Sequence, residues 1–138
     1  MATFVLDSST ALSWCFEDEK MASTTALYDA IDNLSTIFVP SLWLLEITNT
    51  FALSLKRNRV TEDDVSRYLY ALSNLPMSID PLEERRTFTS ILPLARKHDL
   101  TTYDATYLDL ARRKKLPLAT LDKALQRAAA AEGIEVLS

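Results

Sequence analysis

Glycine occurs once in this chain, at Gly133, and cysteine and histidine once each, at Cys15 and His98. One glycine cannot build a dinucleotide-binding turn or a P-loop, both of which need several to bring backbone against phosphate. One cysteine makes no internal disulfide, and Cys15, between Trp14 and Phe16, reads as a small core residue rather than a nucleophile. Zinc wants histidine or cysteine ligands that are nearly absent. A metal-free ribonuclease using two imidazoles as acid and base cannot be assembled either. His98, near a helix end beside Arg96 and Lys97, reads as a surface residue. Long apolar runs are missing too. The segment after Met1 meets Asp7 too soon for a signal peptide, and the longest apolar helix, 42–55, carries Glu46 and Asn49, so the expectation is a cytoplasmic protein without a membrane span. A net charge of −4 argues against a surface that grips nucleic acid everywhere by neutralising phosphate, though a local basic patch is compatible with it.

What is present suits a single domain, 1–138: 48% of residues are hydrophobic and 25% charged, enough for an ordinary core. Short apolar runs at 3–6, 36–39, 77–79, 118–121 and 134–137 predict strands. Between them the spacing predicts a brief helix holding Ala11, Leu12 and Trp14, and one from about Met21 to Leu34. A long helix follows from Leu42, with Ser41 as its N-cap and Lys56, Arg57 and Arg59 at its end. Thr61 and Asp64 open the next helix as a capping box, and the two form a hairpin. A helix is expected over 82–97, bent or restarted at Pro93, then one opened by Asp104, then one over 123–131 with Gly133 as its left-handed cap. Strands alternating with helices predict an α/β fold with a mainly parallel sheet covered on both faces.

Four acids stand at telling places in that pattern. Asp7 and Asp122 end strands, Asp104 opens a helix, and Glu46 sits among Leu42, Trp43, Leu44, Leu45, Ile47, Phe51, Leu53 and Leu55. Each has an ordinary alternative: a helix cap for Asp7 and Asp122, a capping box with Thr101 for Asp104, a salt bridge to a distant arginine for Glu46. No basic residue lies three or four positions from Glu46, so its charge needs a partner from outside the helix. In a parallel sheet all four fall on the rim where the strands' carboxyl ends gather and ligands bind. Crowded carboxylates repel one another, and a divalent cation reverses that. An all-oxygen set suits Mg²⁺ or Mn²⁺, which keep waters and accept phosphate oxygens. Such a site implies hydrolysis of a phosphodiester by activated water. An aspartyl phosphatase would want a second acid two residues after Asp7, where Ser9 stands.

The stretches Phe-Val-Leu-Asp-Ser-Ser at 4–9, Val-Pro-Ser-Leu-Trp-Leu-Leu-Glu-Ile-Thr-Asn at 39–49, Leu-Thr-Thr-Tyr-Asp-Ala-Thr-Tyr at 100–107 and Leu-Ala-Thr-Leu-Asp at 118–122 resemble, in order and spacing, the PIN domain, specifically VapC-type toxins. The resemblance implies a three-layer α/β/α fold with a protruding helical hairpin. It further implies a metal-dependent endoribonuclease toxin leaving 5′-phosphate and 3′-hydroxyl ends, a VapB-type antitoxin partner and a homodimer. By that likeness Asp7, Glu46, Asp104 and Asp122 are the catalytic metal site, with Ser8 and Thr120 as nearby hydroxyls and Asn49 orienting the carboxylates. Arg112, Arg113, Lys114 and Lys115, the densest basic run, are the candidate RNA contacts, extended by Lys56, Arg57, Arg59, Lys123 and Arg127; the alternative is service to helix dipoles. The competing function is a catalytically silent PIN-like module that binds a protein partner.

Overall fold

Five parallel strands organise the computed structural model, which describes Met1–Ser138. They are β1 (Thr3–Leu6), β2 (Thr36–Pro40), β3 (Met77–Asp80), β4 (Leu118–Ala119) and β5 (Val136–Leu137), in the spatial order β3-β2-β1-β4-β5. Every pairing is parallel; Val5 stands opposite Phe38 on one side and Leu118 on the other. Phe4, Val5, Leu6, Ile37, Val39, Leu118 and Ala119 are almost wholly buried, as expected when helices cover both faces and strands read as unbroken apolar runs.

Eight helices supply the cover: α1 (Ser8–Cys15), α2 (Ala22–Asp29), α3 (Leu42–Lys56), α4 (Glu62–Ser73), α5 (Glu84–Arg86), α6 (Leu92–His98), α7 (Thr102–Lys114) and α8 (Lys123–Ala131). α1 packs on α2 and α3, whereas α7 lies over β1, β2 and β4 with α6 and α8 beside it. Right-handed crossovers put α1 to α4 on one face and α5 to α8 on the other, giving the three layers expected. The α3–α4 hairpin is held by Phe51 and Tyr68, ring centres 5.7 Å apart, with Phe16 edge-on to both. No helix is long and apolar enough to cross a membrane.

Several local expectations are corrected. α2 stops at Asp29 because Asp32 and Ser35 build a turn of their own: the Leu34 N–H donates to Asp32 Oδ1 at 2.9 Å and the Asp32 N–H to Ser35 Oγ at 3.0 Å, drawing the backbone away from helical bonding. The helix over 82–97 is three pieces, α5, a wide π turn Thr87–Ile91 and α6. The wide turn comes just before Pro93, which lacks an N–H to give. Ser41 does not cap α3 with its side chain; its own N–H donates to the Asp80 carbonyl. Leu44, Leu45 and Leu53 are exposed, so α3 is not apolar on all buried sides and Glu46 is only half-buried. His98 is not a surface residue: its ring is 10% exposed and its Nε2 lies 2.7 Å from Glu132 Oε2, which also accepts from Lys97 Nζ. Gly133, at φ +74°, is the left-handed turn the sequence predicts after α8.

Candidate metal centre

The strand order reverses between β1 and β4, and the crevice at that switch point is where an open parallel sheet receives ligands. Asp7 follows β1 directly, Thr120 and Asp122 follow β4, Glu46 comes from the second turn of α3 and Asp104 from the first turn of α7. The chain thus delivers four acids to one rim from four separate segments.

The ordinary readings of these acids fail for three of the four. Asp7 occupies the N-cap position of α1 but makes no capping hydrogen bond; its Oδ2 accepts instead from Ser9 Oγ at 2.6 Å and Thr120 Oγ1 at 2.7 Å. Asp104 and Asp64 sit at the same place in the same pattern, three residues after a threonine N-cap. At Asp64 the box is complete, its Oδ2 accepting from the Thr61 N–H at 2.9 Å. At Asp104 only the backbone half exists, its N–H donating to Thr101 Oγ1 at 3.1 Å, and the carboxylate is left over. Glu46 has no arginine; its Oε1 accepts from the phenol of Tyr107 and, at 3.3 Å, from Ser8 Oγ. Asp122 alone is a cap, taking the Leu125 N–H on Oδ1 at 2.8 Å. None of the four takes part in an ion pair.

A pattern runs through these contacts. Glu46 and Asp122 each commit one carboxylate oxygen to protein donors and leave the other without one, Asp7 takes two hydroxyls on one oxygen with the Ser8 N–H as a further donor, and Asp104 meets only the Thr101 hydroxyl. The electrostatics follow. Burial raises the Asp7 carboxyl above its usual value and Asp122 adds repulsion, against the hydrogen bonds of Ser9 and Thr120. Burial also raises Glu46, helped by Asp7 and opposed by Tyr107 and Ser8. Asp104 is pushed up to about 6 by burial and then by Asp122, Asp7 and Glu46. Mutual repulsion with no cation near is the state that a bound divalent ion would relieve.

Ser8 and Thr120 fall where the sequence reading places them. Two further hydroxyls do so without having been foreseen. Ser9 holds Asp7 and accepts the Leu121 N–H at 3.0 Å, tying the end of β4 to the start of α1. Tyr107, 0% exposed, holds Glu46; its place one turn after Asp104 on α7 was the available signal. Asn49 is exposed and hydrogen-bonds to none of the acids. The basic run is not brought to the rim: Lys114 is ten positions from Asp104 at the far end of α7, about 15 Å along its axis. Arg113 bonds Asp80 and Asp109, Arg112 faces Glu132, Lys114 lies over the Phe38 ring, and Lys115 is the left-handed residue ending the helix. Cys15 is buried and its thiol is pushed up to about 11 by burial, which makes it inert.

No three acidic, histidine or cysteine side chains close directly around one point. A cation held here would take one or two of the carboxylates and complete its shell with water. The donor set, oxygen only and anionic, fits such an ion.

The sequence profile of the PIN domain matches residues 4–131. Among solved structures, PAE2754 from Pyrobaculum aerophilum is 22% identical, with a TM-score of 0.68 over 99% of this chain and 92% of the other. FitAcB from Neisseria gonorrhoeae is 16% identical, TM-score 0.68, covering 100% and 97%. VapBC2 from Rickettsia felis, bound to a DNA fragment from their promoter, is 16% identical, TM-score 0.68, covering 99% and 97%. At such identities the likeness is one of fold. No curated protein sequence matches.

Proposed function

Since this chain belongs to the PIN domain family, we propose that it is a nuclease of the VapC type: a metal-dependent endoribonuclease that hydrolyses RNA phosphodiester bonds with water. The observation that carries this reading is the set of four carboxylates on one rim, close enough for Asp7, Glu46 and Asp122 to raise Asp104 and none of them in an ion pair. A bound Mg²⁺ or Mn²⁺ would supply there an activated water and charge neutralisation at the scissile phosphate. The chain's own part is to hold the ligands still. Ser9 and Thr120 fix Asp7, Tyr107 and Ser8 fix Glu46, and the helix start of α8 fixes Asp122. Asp104, whose carboxylate meets only the Thr101 hydroxyl and whose pKa is pushed up to about 6, gains most from the ion.

The test is incubation of the purified protein with structured and total RNA in Mg²⁺, in Mn²⁺ and in chelator, beside Asp7→Asn and Glu46→Gln. Cutting that needs the metal and both acids is the expected result. Cutting that survives chelation assigns the activity elsewhere, and no cutting with intact metal binding favours the silent binding module.

Substrate contact is assigned to Lys123 and Arg127. They lie one turn apart on α8, whose N-cap is Asp122, and neither is engaged in an ion pair. Lys123→Ala with Arg127→Ala is expected to raise KM about tenfold at unchanged kcat and to flatten the dependence of log KM on log salt. An equal effect from Arg112→Ala with Lys115→Ala, at the other end of the sheet, would remove that assignment. A protein partner of the VapB antitoxin kind is supported by the likeness in fold to FitAcB and VapBC2, and self-association into a dimer belongs to the same reading. Induced expression in a bacterium, with growth arrest lost in a catalytic variant and relieved by a co-expressed antitoxin, tests the toxin role.

A further inference from the structure

We propose that Tyr107, assisted by Ser8, is a positioning residue that makes Glu46 a one-oxygen ligand and thereby sets which divalent cations the site accepts. The inference rests on the metal-centre reading above and adds a discrimination that the reading does not require. Two donors converge on the same atom: the Tyr107 hydroxyl and Ser8 Oγ both donate to Glu46 Oε1, and nothing in the protein donates to Oε2. Asp7 repeats the convergence from different elements, with the Ser9 and Thr120 hydroxyls both donating to Oδ2. The donors are not loose surface groups, for Tyr107 and Thr120 are each 0% exposed.

A carboxylate whose one oxygen already holds two hydroxyls has a single oxygen to give. Gripping an ion with both oxygens would strip a buried phenol of the charged acceptor it donates to, and a weakened hydrogen bond at a fully buried group is costly. Ions differ in what they demand. Mg²⁺, and Mn²⁺ with similar octahedral oxygen coordination, are served by single-oxygen carboxylates and water; Ca²⁺ takes more ligands in looser geometry and often binds a carboxylate by both oxygens. Paired hydroxyls on Glu46 and on Asp7 therefore hold the site in the form suited to the smaller ions and closed to the larger. Tyr107 touches neither substrate nor reacting atoms, and its effect passes wholly through Glu46.

Tyr107→Phe removes the hydroxyl and keeps the ring in the core. Titration calorimetry with Mn²⁺ alone and Ca²⁺ alone, without RNA, is compared for the wild type, Tyr107→Phe and Ser8→Ala. The wild type is expected to prefer Mn²⁺, and Tyr107→Phe to lower the Mn²⁺-to-Ca²⁺ affinity ratio about tenfold. Ser8→Ala, at a partly exposed position, should shift it the same way by less and keeps the test open if the tyrosine variant does not fold. General loosening would weaken both ions alike and leave the ratio where it was. An unchanged ratio in folded Tyr107→Phe and Ser8→Ala overturns the proposal while the metal centre stands; a wild type that binds neither ion overturns both.

Discussion

Asp104→Asn is expected to abolish metal-supported RNA cleavage, by on the order of a thousandfold, and at the same time to make the metal-free protein more stable. The first effect is the loss of several kcal/mol of charge stabilisation at the phosphate. The second comes from the cluster itself. Burial and the neighbouring Asp122, Asp7 and Glu46 carry the Asp104 carboxyl from 3.8 to about 6. A carboxyl whose folded pKa is raised favours the folded state while it is protonated. That benefit is whole below pH about 4, fades as pH climbs toward 6, and is gone above it, where the ionised group weighs on the fold. Asparagine carries no such charge. In chelator at pH 7 to 8 the variant is expected to melt about 3 °C higher, corresponding to ~1 kcal/mol after allowance for solvent screening at this half-exposed site. The gap should close on acidification toward pH 4. Saturating Mn²⁺ should reverse the order, because it stabilises only a protein that binds it. A variant that melts lower than wild type in chelator at pH 8, or that still cuts RNA in Mg²⁺, would contradict this account of the centre.

The second large effect lies away from the acids. Asp109, on α7, is 1% exposed, and its Oδ2 accepts from Arg86 Nε at 3.1 Å and Arg113 Nε at 2.9 Å; both guanidinium groups continue to Asp80 at the end of β3. One buried carboxylate thereby joins the edge strand, the short helix α5 and the helix that carries Asp104. Asp109→Ala removes the one fully buried partner of two mostly enclosed guanidinium groups and leaves them to share Asp80, and breaking a buried pair from one side costs about 3 kcal/mol. The melting temperature is expected to fall by roughly 10 °C. Removing Arg67 from its exposed pair with Asp64 should cost less than about 0.5 kcal/mol and serves as the control. Urea denaturation of both variants decides it, and a loss under about 1 kcal/mol for Asp109→Ala would show the network to be ornamental.

Much of this molecule was legible from its residues. The apolar runs ending in Asp7 and Pro40 are strands observed, because at the centre of a sheet covered on both faces no polar alternation confuses the reading, and the run ending in Asp80 is the edge strand β3, with Ser78 and Ile79 exposed. Glu46 was legible as a charge without a helical partner, and it has none. Other features were not legible, for physical reasons. Asp64 and Asp104 share one local pattern, and only the surrounding tertiary structure decides that the first closes a capping box and the second does not. Asn49 lies a turn from Glu46, yet the rotation of α3 turns it to solvent. The basic run at 112–115 reads as a patch in one dimension, but the folded chain supplies Glu132 to Arg112 and Asp80 to Arg113 from distant positions, beside Asp109 one turn back on the same helix. The π turn leaves no periodic signature, being a single wide loop within an otherwise helical stretch.

The pairing of β1 with β4 has a consequence in time. Asp7 emerges from the ribosome early, but Thr120, which shares its Oδ2, and Asp122, which completes the rim, are made more than a hundred residues later. A nascent chain that has not passed Asp122 holds its first acid beside an unfilled strand position. Synthesis thus acts as a safety catch, for the carboxylate cluster is assembled only after the segment that carries Thr120 and Asp122 has been made.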